Sequence, residues 1–348
     1  MVGSGSDKII QYEYEYVNCF SGYRFIEREC RIGYNNKVTG LIRTAYFKGN
    51  PGHGQSGAVD FRYISKGAHM PASLVIKMKG EDDKHHGPYL ASLLQGVLME
   101  NIDGAYAGCL HKTGIHPYSQ YVEVAGGDIL WHIHTLTGEA EEAMIGPMRD
   151  DSLTEVELKH RSEMLRIIEK TVTRWSYEDL IEGYYLGECS RNIPLRIITP
   201  MSFKTNGRYC IIPSSRLLFQ SLMMRFDACS PDSRIFTEEL LQEFESLTEI
   251  SDYHLRSVRY SLESVRIPAF LGDMRIHVNG PQQMANAAWM LARFGEYSGA
   301  GIKTGIGMGA LSIEDRFAGR KAGETPDGGK GYPAAGPQEN RKEDLING

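Results

Sequence analysis

The sequence predicts an α+β fold of two tandem ferredoxin-like (RRM-like) units with a C-terminal glycine-rich loop. Three observations support this prediction. Residues 70–190 have the order strand-helix-strand-strand-helix-strand, residues 191–319 repeat it more loosely, and glycines concentrate at the end of the second repeat. The chain has 348 residues, which is enough for two domains of ordinary size.

The first unit is predicted from alternating β-rich and helical segments. SLVIKMK (73–79) is typical of a strand, and PYLASLLQGVLMENI (88–102) of a helix that begins with proline. Two strands follow at 117–124 and 128–136, separated by the turn Ala125-Gly126-Gly127. Residues 138–148 then predict a helix, and residues 164–176 predict the closing strand.

The second unit repeats this order. Residues 193–200 predict a strand, 214–226 a helix, 254–265 and 271–280 two strands, and 280–295 a helix that leads into the glycines. Acidic residues from Glu238 to Glu249 indicate an additional helix with a charged face.

Both ends of the chain lie outside this repeat. Residues 1–69 are an extension of unknown role, in which Tyr12 to Tyr16 alternate as in a strand and NPGHGQSG (50–57) is typical of a loop. Gly67-Ala68-His69-Met70 is typical of the remnant of a cloning or protease site, which is one origin for this extension. Residues 320–348 are rich in Gly, Pro and charge and predict a flexible tail.

The composition excludes several classes of protein. Apolar residues make up 41% and charged residues 24% of the chain, which argues against a disordered or fibrous protein. Neither a membrane-spanning segment nor a signal peptide is recognisable, so we expect a cytoplasmic protein without a membrane partner. The six cysteines form no CxxC pair, so we expect neither a metal site nor a redox disulfide.

Charge is distributed unevenly along the chain. The formal net charge is −6, so bulk electrostatics do not indicate a nucleic-acid partner. Between Arg191 and Arg225, however, there is no Asp or Glu, and the segment contains the basic residues Arg191, Arg196, Lys204, Arg208, Arg216 and Arg225. This local positive segment predicts either an RNA contact or a solvated face.

The run GAGIKTGIGMG (299–309) is the most informative motif, with glycine at positions 299, 301, 305, 307 and 309. Glycine tolerates positive φ and close backbone approach, so such a run can hold a phosphate chain with its N–H groups. A dinucleotide fingerprint is excluded because the run follows a helix and opens none. A P-loop is excluded because Ile302, not glycine, precedes Lys303. The alternative to phosphate binding is that this run forms a glycine-rich turn with a packing role only.

Two segments, IPLRIITPMSFKTNGRYCIIPSSRLLFQSLMMRF (193–226) and YSGAGIKTGIGMGAL (297–311), stand out in combination. They resemble the RAMP-superfamily CRISPR-associated endoribonucleases, which cut precursor guide RNA within its repeats. In that family a strand ends in Thr-Pro, matched by Thr199-Pro200, and a proline opens the next helix, matched by Pro213. LLQGVLMENI followed by LHKTGIHPYS resembles the family's first helix and its histidine-bearing segment, so the likeness covers residues 70–311.

The resemblance implies metal-independent cleavage of CRISPR repeat RNA. The 2′-OH attacks the adjacent phosphate and leaves a 2′,3′-cyclic phosphate, with no cofactor and no metal. It further implies His111 as the catalytic acid or base and His116 as a candidate second proton-transfer group. Met99 stands where some relatives carry a catalytic tyrosine, and Gly114 where some carry a lysine.

Candidate RNA-binding residues combine the glycines with nearby cations. They are Gly299, Gly301, Lys303, Gly305, Gly307, Gly309, Lys204, Arg208 and Arg216, because cations neutralise phosphates and arginine also binds bases in bidentate fashion. Phe203 and Tyr209 are candidates for stacking on unpaired bases, with a place in the core as the alternative.

Three alternative functions have some support in the sequence. His132 and His134, together with His85 and His86, suggest a metal site, but no Asp, Glu or Cys has convincing ligand spacing beside them. The segment HGQSGA (53–58) departs from the nucleophile elbow of hydrolases, since alanine occupies its last glycine position. The remaining alternative is a non-cleaving RAMP-type RNA-binding subunit of a CRISPR effector complex, and association with such a complex is an expectation for the enzyme too.

Overall fold

The computed structural model describes residues 70–80, 84–110, 113–231, 233–262 and 265–314, together with the backbone of five strands before residue 70. These strands are β1 (Tyr14–Phe20), β2 (Tyr23–Tyr34), β3 (Lys37–Lys48), β4 (Ala58–Asp60) and β5 (Ile64–Ser65). They form an antiparallel sheet in the order β1-β2-β3-β4, with β5 also paired to β3. The strand predicted at residues 12–16 overlaps β1. The predicted loop 50–57, the 67–69 motif and the tail 320–348 lie outside the described residues.

The first ferredoxin-like unit has the predicted order of elements. It contains β6 (Ala72–Lys79), α1 (Leu90–Asn101), α2 (Gly104–Leu110), β7 (Tyr118–Ala125), β8 (Asp128–Thr135), α3 (Gly138–Ala140) continuing through a π turn (Glu141–Ile145) into α4 (Gly146–Met148), β9 (Glu155–Leu158) and β10 (Glu163–Arg174). All neighbouring strands are antiparallel, in the order β7-β8-β6-β10-β9. The first four give the strand order of a ferredoxin-like fold. Neither α2 nor β9 was predicted.

The second unit repeats this topology. Its elements are α5 (Tyr177–Leu180) with a π turn (Ile181–Tyr185), β11 (Asn192–Met201), β12 (Phe203–Thr205), β13 (Arg208–Cys210), α6 (Ser215–Cys229), α7 (Glu238–Leu247), β14 (Thr248–Leu262), β15 (Val265–Val278), α8 (Gln282–Ser298), a 3₁₀ turn (Thr304–Ile306) and β16 (Leu311–Ser312). The sheet order is β14-β15-β11-β16. The glycine-rich loop therefore connects the last helix to a very short last strand.

Helix starts in the second unit follow from local capping. Ser214 caps α6 by accepting the N–H of Leu217 at 3.4 Å, and Thr237 caps α7 by accepting the N–H of Leu240 at 3.1 Å. Each cap satisfies an N–H group that has no partner within the helix. The acidic helix predicted at 238–249 is thus confirmed as α7, with Leu241 and Phe244 on its buried side.

Each unit has its own hydrophobic core, but the segment that joins them packs into the second. Leu74, Ile76 and Met78 of β6 belong to the first core. Trp175 and Tyr177, which follow β10, are buried in the second core with the residues of α6 and α8. We propose a boundary near residue 190 between units 70–190 and 191–319, with Trp175 to Tyr185 as a connection held by the second core.

The C-terminal end of α8 packs against the first sheet on the face opposite α1. The Tyr297 ring stacks on Trp175, with centroids 4.4 Å apart, and meets His134 of β8 edge-on at 6.0 Å. Ser119 of β7 donates its hydroxyl hydrogen to the Tyr297 carbonyl at 2.5 Å. These contacts fix the start of the glycine-rich loop relative to the first unit.

The same face holds two buried histidines. His132 stacks on Tyr121 with centroids 4.3 Å apart, and His134 Nδ1 lies 2.7 Å from Ser73 Oγ. Burial lowers the pKa of His132 to about 4 and that of His134 to about 3, and His132 contributes to the latter. Both imidazoles are therefore neutral at pH 7, which suits a packing role between sheet and helix.

Among the described residues, no helix combines the length and hydropathy that a membrane span requires.

The buried histidines predict acid sensitivity. An unfolded histidine binds a proton below its ordinary pKa of about 6.5, whereas these two resist protonation in the fold, so stability falls as pH drops from 6.5 towards 4. We expect a loss of roughly 1.4 kcal/mol per pH unit for each histidine. Urea unfolding at pH 7, 6 and 5 measures this, with a double H132Q/H134Q variant expected to have a shallower pH dependence.

The matched control for this experiment is H160Q, since His160 is exposed on the same unit. Equal pH dependence in the double variant and the wild type would contradict the assignment of the effect to His132 and His134.

Candidate active site at the glycine-rich loop

The loop from residue 299 to 309 turns repeatedly through backbone conformations that favour glycine. Gly299, Gly301, Gly307 and Gly309 have φ values of 63°, 81°, 100° and 72°. Lys303 also has a positive φ, of 59°, although it is not a glycine. Residues other than glycine rarely adopt a positive φ, and those that do often occur at functional sites.

Most N–H groups of the loop bind the protein itself. Ala300 N–H donates to the Gly309 carbonyl at 2.9 Å, which closes the base of the loop. Ile306 and Met308 N–H donate to the Lys303 carbonyl, at 3.1 and 3.2 Å. Among the described contacts, the N–H groups of Lys303, Thr304 and Gly305 have no protein acceptor. A phosphate-binding role for the backbone is thus confined to this central turn.

Strand β11 and helix α6 hold the two ends of the loop. Gly309 N–H donates to the Pro200 carbonyl at 3.0 Å, so the predicted Thr199-Pro200 motif contacts the loop directly. Ala310 N–H donates to Thr199 Oγ1 at 3.0 Å. On the other side, Gly301 N–H donates to Ser221 Oγ of α6 at 2.8 Å. The two segments that carry the sequence resemblance therefore form one structural feature.

The centre of the loop lies against the first unit. A Cβ atom at Gly305 would lie 3.0 Å from Tyr118 Oη and 3.3 Å from His116 Nδ1. A Cβ atom at Gly307 would lie 2.3 Å from the Cβ of Ala91 in α1. Glycine at both positions permits this close approach.

A buried amide secures the contact. Gln120 of β7 donates from Nε2 to the Gly305 carbonyl at 3.1 Å and to the Ala91 carbonyl at 2.7 Å. Its Oε1 accepts from Trp131 Nε1 at 2.9 Å, which sets the orientation of the amide. Since Gln120 is buried, each of these bonds replaces a water contact that the fold has removed.

Of the two predicted proton-transfer residues, His116 lies at this contact. Its ring stacks on Tyr118 with centroids 5.6 Å apart and planes 9° apart, and it is half-buried beside Gly305. His111 lies outside the described residues, in the short segment between α2 and β7. The described geometry thus brings His116 to the loop, and the role of His111 stays a prediction.

Two tyrosines that the sequence reasoning did not single out also adjoin the loop. Tyr260 of β14 donates its hydroxyl hydrogen to the Ile306 carbonyl at 2.6 Å, and burial raises its pKa to about 12. Burial likewise raises the pKa of Tyr118. Both phenols stay protonated at neutral pH, and Tyr260 acts as a hydrogen-bond donor to the loop. Their distance in sequence from the glycines left no local signal for this role.

The basic residues of the 191–225 segment do not form one surface. Arg191 donates to the carbonyls of Val278 and Gly280, and Arg196 pairs with Glu314 at 3.2 Å. Arg216, a predicted RNA-binding residue, pairs with Glu238 at 2.7 Å and with Glu245 at 2.9 Å. Carboxylates of α7 therefore already neutralise its positive charge. The pairing favours a structural role for Arg216.

The hairpin of β12 and β13 presents the remaining cations of this segment. Lys204, Arg208 and Tyr209 are exposed, and Lys204 Nζ lies 5.9 Å from the centre of the Tyr209 ring. Tyr209 is 38% exposed and available for stacking. Phe203 is only 5% exposed and lies in the core near Phe270, so it is not available to stack on a base.

Two arginines on the adjoining strands extend the cationic surface. Arg259 of β14 and Arg266 of β15 are exposed, and by strand alternation they share a face with Phe270, which packs near Phe203. They alternate along the strands with Tyr260 and Ile267, which face the loop side, and this alternation is visible in the sequence.

Metal-ligating side chains do not converge in the described part of the chain. No group of three His, Cys, Asp or Glu residues there has the geometry of a metal site. Of the histidines weighed above, His86 Nε2 lies 2.6 Å from Glu163 Oε1, and Arg161 Nε lies 3.3 Å from Glu163 Oε2. This cluster at the start of β10 combines an Arg161–Glu163 ion pair with a His86–Glu163 hydrogen bond.

Comparison with known proteins identifies relatives that cover about two thirds of this chain. A family model described as CRISPR-associated endoribonuclease Cas6 matches residues 195–311. The CRISPR-associated endoribonuclease Cas6 of Streptococcus thermophilus is 31% identical over 232 residues, covering 67% of this chain and 94% of the relative. That of Mycobacterium tuberculosis is 31% identical over 229 residues, covering 66% of this chain and 71% of the relative.

Solved structures share the fold. A Cas6 product complex superposes with a TM-score of 0.59 at 22% identity, over 70% of this chain and 99% of the other. A Thermus thermophilus Cas6 superposes with a TM-score of 0.55 at 22% identity, over 70% of this chain and 98% of the other. These likenesses confirm the prediction of tandem ferredoxin-like units.

The loop contact predicts the effect of adding one methyl group. In Gly305→Ala the new Cβ meets Tyr118 and His116 within 3.0 to 3.3 Å, so the loop or the Tyr118 ring must move. We expect a destabilisation of about 1–3 kcal/mol, measured by denaturant unfolding, together with a shift of the His116 ring signals in NMR spectra.

The control is Gly96→Ala in the middle of α1, where a Cβ meets nothing within 4 Å. It should stabilise the protein by about 0.5–1 kcal/mol, because alanine is the better helix former. A Gly305→Ala protein as stable as the wild type, with unchanged His116 signals, would show that the close approach is not a constraint.

Proposed function

Because this chain belongs to the Cas6 family of CRISPR-associated endoribonucleases, we propose that it cleaves CRISPR repeat RNA to produce guide RNA. The observation that supports this most directly is the contact of Gly305 with His116 and Tyr118. This contact supports the proposal because it joins the turn to which we assign phosphate binding with His116, to which we assign a proton transfer. Two related structures are named as a product complex and a substrate-mimic complex, which agrees with RNA as the ligand.

We propose a metal-independent transesterification. A base removes the proton from the RNA 2′-OH, and the 2′ oxygen attacks the adjacent phosphorus. The bond from phosphorus to the 5′ oxygen of the next nucleotide then breaks, and an acid protonates that oxygen. The products are a 2′,3′-cyclic phosphate and a 5′-OH, and the electron count balances without an external reactant.

We assign the proton transfers to His111 and His116. Imidazole titrates near neutral pH, so one histidine can accept a proton while another donates one. His116 already lies at the loop contact, and His111 precedes it by five residues on the same segment. Met99, which has no ionisable group, contributes to packing against the first core.

The loop supplies charge stabilisation. Negative charge grows on the phosphate oxygens during attack, and N–H donors and cations near them lower the barrier. The N–H groups of Lys303, Thr304 and Gly305 and the exposed ammonium of Lys303 are the candidates for this role. Gly299, Gly301, Gly307 and Gly309 act by shaping the loop, since their N–H groups donate within the protein.

We assign the binding of RNA outside the cleavage site to a cationic surface of the second unit. Lys204, Arg208 and Tyr209 of the hairpin of β12 and β13 are exposed, and so are Arg259 and Arg266, which lie on the face of the second sheet opposite Tyr260 and Ile267. Cations there neutralise phosphates, and Tyr209 is suited to stacking on an unpaired base. Association with a CRISPR effector complex stays a prediction, which copurification tests.

Replacing the proton-transfer residues should abolish RNA cleavage and leave RNA binding unchanged. A positioned acid or base contributes about 10²- to 10⁴-fold, so His111→Ala should lose that much in single-turnover rate on labelled repeat RNA. His116→Ala should lose less if it is the secondary group. The repeat itself is identified by sequencing RNA that copurifies with the protein.

The assay is run with and without EDTA, and product ends are mapped. Cleavage at the wild-type rate in His111→Ala removes His111 from the mechanism, and a requirement for magnesium removes the transesterification proposed here. Tight binding with no product under any condition supports the non-cleaving RNA-binding subunit instead.

Reversing the charge of the loop cation should weaken RNA binding. Lys303 is exposed, so Lys303→Glu should lower affinity about tenfold or more at moderate salt, while the urea midpoint changes little. Filter binding at two salt concentrations measures this. Arg216→Gln, whose charge already pairs with α7, is the comparison variant, and equal loss in both would argue against a specific role for the loop cation.

A further inference from the structure

A buried arginine lies directly beneath the glycine-rich loop. Arg225, on the last turn of α6, is only 8% exposed. Its Nη2 lies 3.5 Å from the Gly301 carbonyl, four residues after Ser221, whose Oγ accepts the Gly301 N–H. Helix α6 thus contacts both sides of Gly301 from residues one helical turn apart.

The positive charge of Arg225 has no compensating carboxylate among the described residues. Its Nη1 has no hydrogen-bond partner there, and no Asp or Glu forms an ion pair with it. By contrast Arg216, on the first turn of the same helix, pairs with two glutamates of α7. Arginine is almost never buried without a partner, since removing a guanidinium from water is costly.

This arrangement lacks a structural explanation within the second unit. An apolar side chain of similar length would fill the same space between α6 and the loop without the desolvation cost. The loop conformation itself is also secured by Ser221, Pro200 and Thr199. The cost of the buried charge is therefore explained better by function than by folding.

We propose that Arg225 is a positioning residue for the RNA phosphate. Its buried charge creates a positive potential at the central turn of the loop, and its bond to Gly301 orients that turn toward the phosphate. A charge in a low-dielectric interior is screened less than one at the surface, so it acts on a phosphate it does not touch. This inference rests on the proposed function, because it requires that the loop binds RNA phosphate.

The central variant is Arg225→Met, which keeps the length of the side chain and removes its charge. We expect the thermal midpoint to stay equal or rise, because an unpaired buried charge is lost. We expect RNA affinity, measured with a repeat RNA that carries a 2′-deoxy group at the cut site, to fall about tenfold. The single-turnover cleavage rate at saturating RNA should fall as well, because the phosphate is held less well in place.

Two further variants separate charge from packing. Arg225→Lys retains the charge and should recover most of the affinity. Arg234→Met removes a positive charge from an exposed position just after α6, where Arg234 donates to the Ser230 carbonyl at 2.7 Å. It should leave RNA affinity within about twofold of the wild type.

The outcomes are distinct. Weaker RNA binding by Arg225→Met at unchanged or raised stability, with recovery in Arg225→Lys, supports the inference. Unchanged binding by Arg225→Met overturns it, and so does a loss of stability that accompanies the loss of binding in both Arg225 variants. If the wild-type protein binds no repeat RNA, both the proposed function and this inference are wrong. If the wild type binds repeat RNA and Arg225→Met binds it equally well, only the inference is wrong.

Discussion

Gly307 lies closer to the first unit than a residue with a Cβ would allow, and at Gly305 a Cβ would be in tight contact with Tyr118. Beside them, the Gln120 amide joins the loop to α1, and Trp131 fixes the orientation of that amide. The consequence is that a loop belonging to the second unit completes a surface of the first. Chemistry that needs a proton-transfer side chain from one unit and a phosphate-binding turn from the other depends on this contact.

The rest of the interface preserves that geometry. Tyr297 at the end of α8 is held between Trp175 and His134, so the helix that precedes the loop is positioned by the first sheet. Neutral, desolvated histidines make this packing compatible with pH 7 and sensitive to acid. On the far side of the loop, α6 contributes Ser221 and the charge of Arg225, which has no carboxylate partner among the described residues. The loop is thus supported from both units, and its central turn is the part whose N–H groups have no acceptor among the described contacts.

Sequence reasoning succeeded where a pattern extends over many residues. The long strands β6, β7, β8, β10, β11, β14 and β15 and the helices α1, α6, α7 and α8 were all predicted, because periodic burial is visible in the residues themselves. It missed α2, α5, β9 and the hairpin of β12 and β13, which are short and depend on tertiary contacts. It also grouped Arg196, Arg216 and Arg225 as one positive segment, whereas in the fold Arg196 and Arg216 are ion-paired and Arg225 is a buried cation. Residues that are close together in the sequence can therefore have ion-pair partners in different parts of the fold.

By itself the amino-acid sequence determined the two-unit α+β order, the glycine-rich motif and the family to which the chain belongs, because these depend on local periodicity and on residue types at fixed spacing. Only the tertiary structure decided which residues surround the loop. Tyr118, Gln120 and Tyr260 are separated from it by about 45 to 190 positions along the chain and carry no motif of their own. Their role follows from the docking of one unit on the other, where burial and close packing, rather than sequence neighbours, select the partner of each polar group.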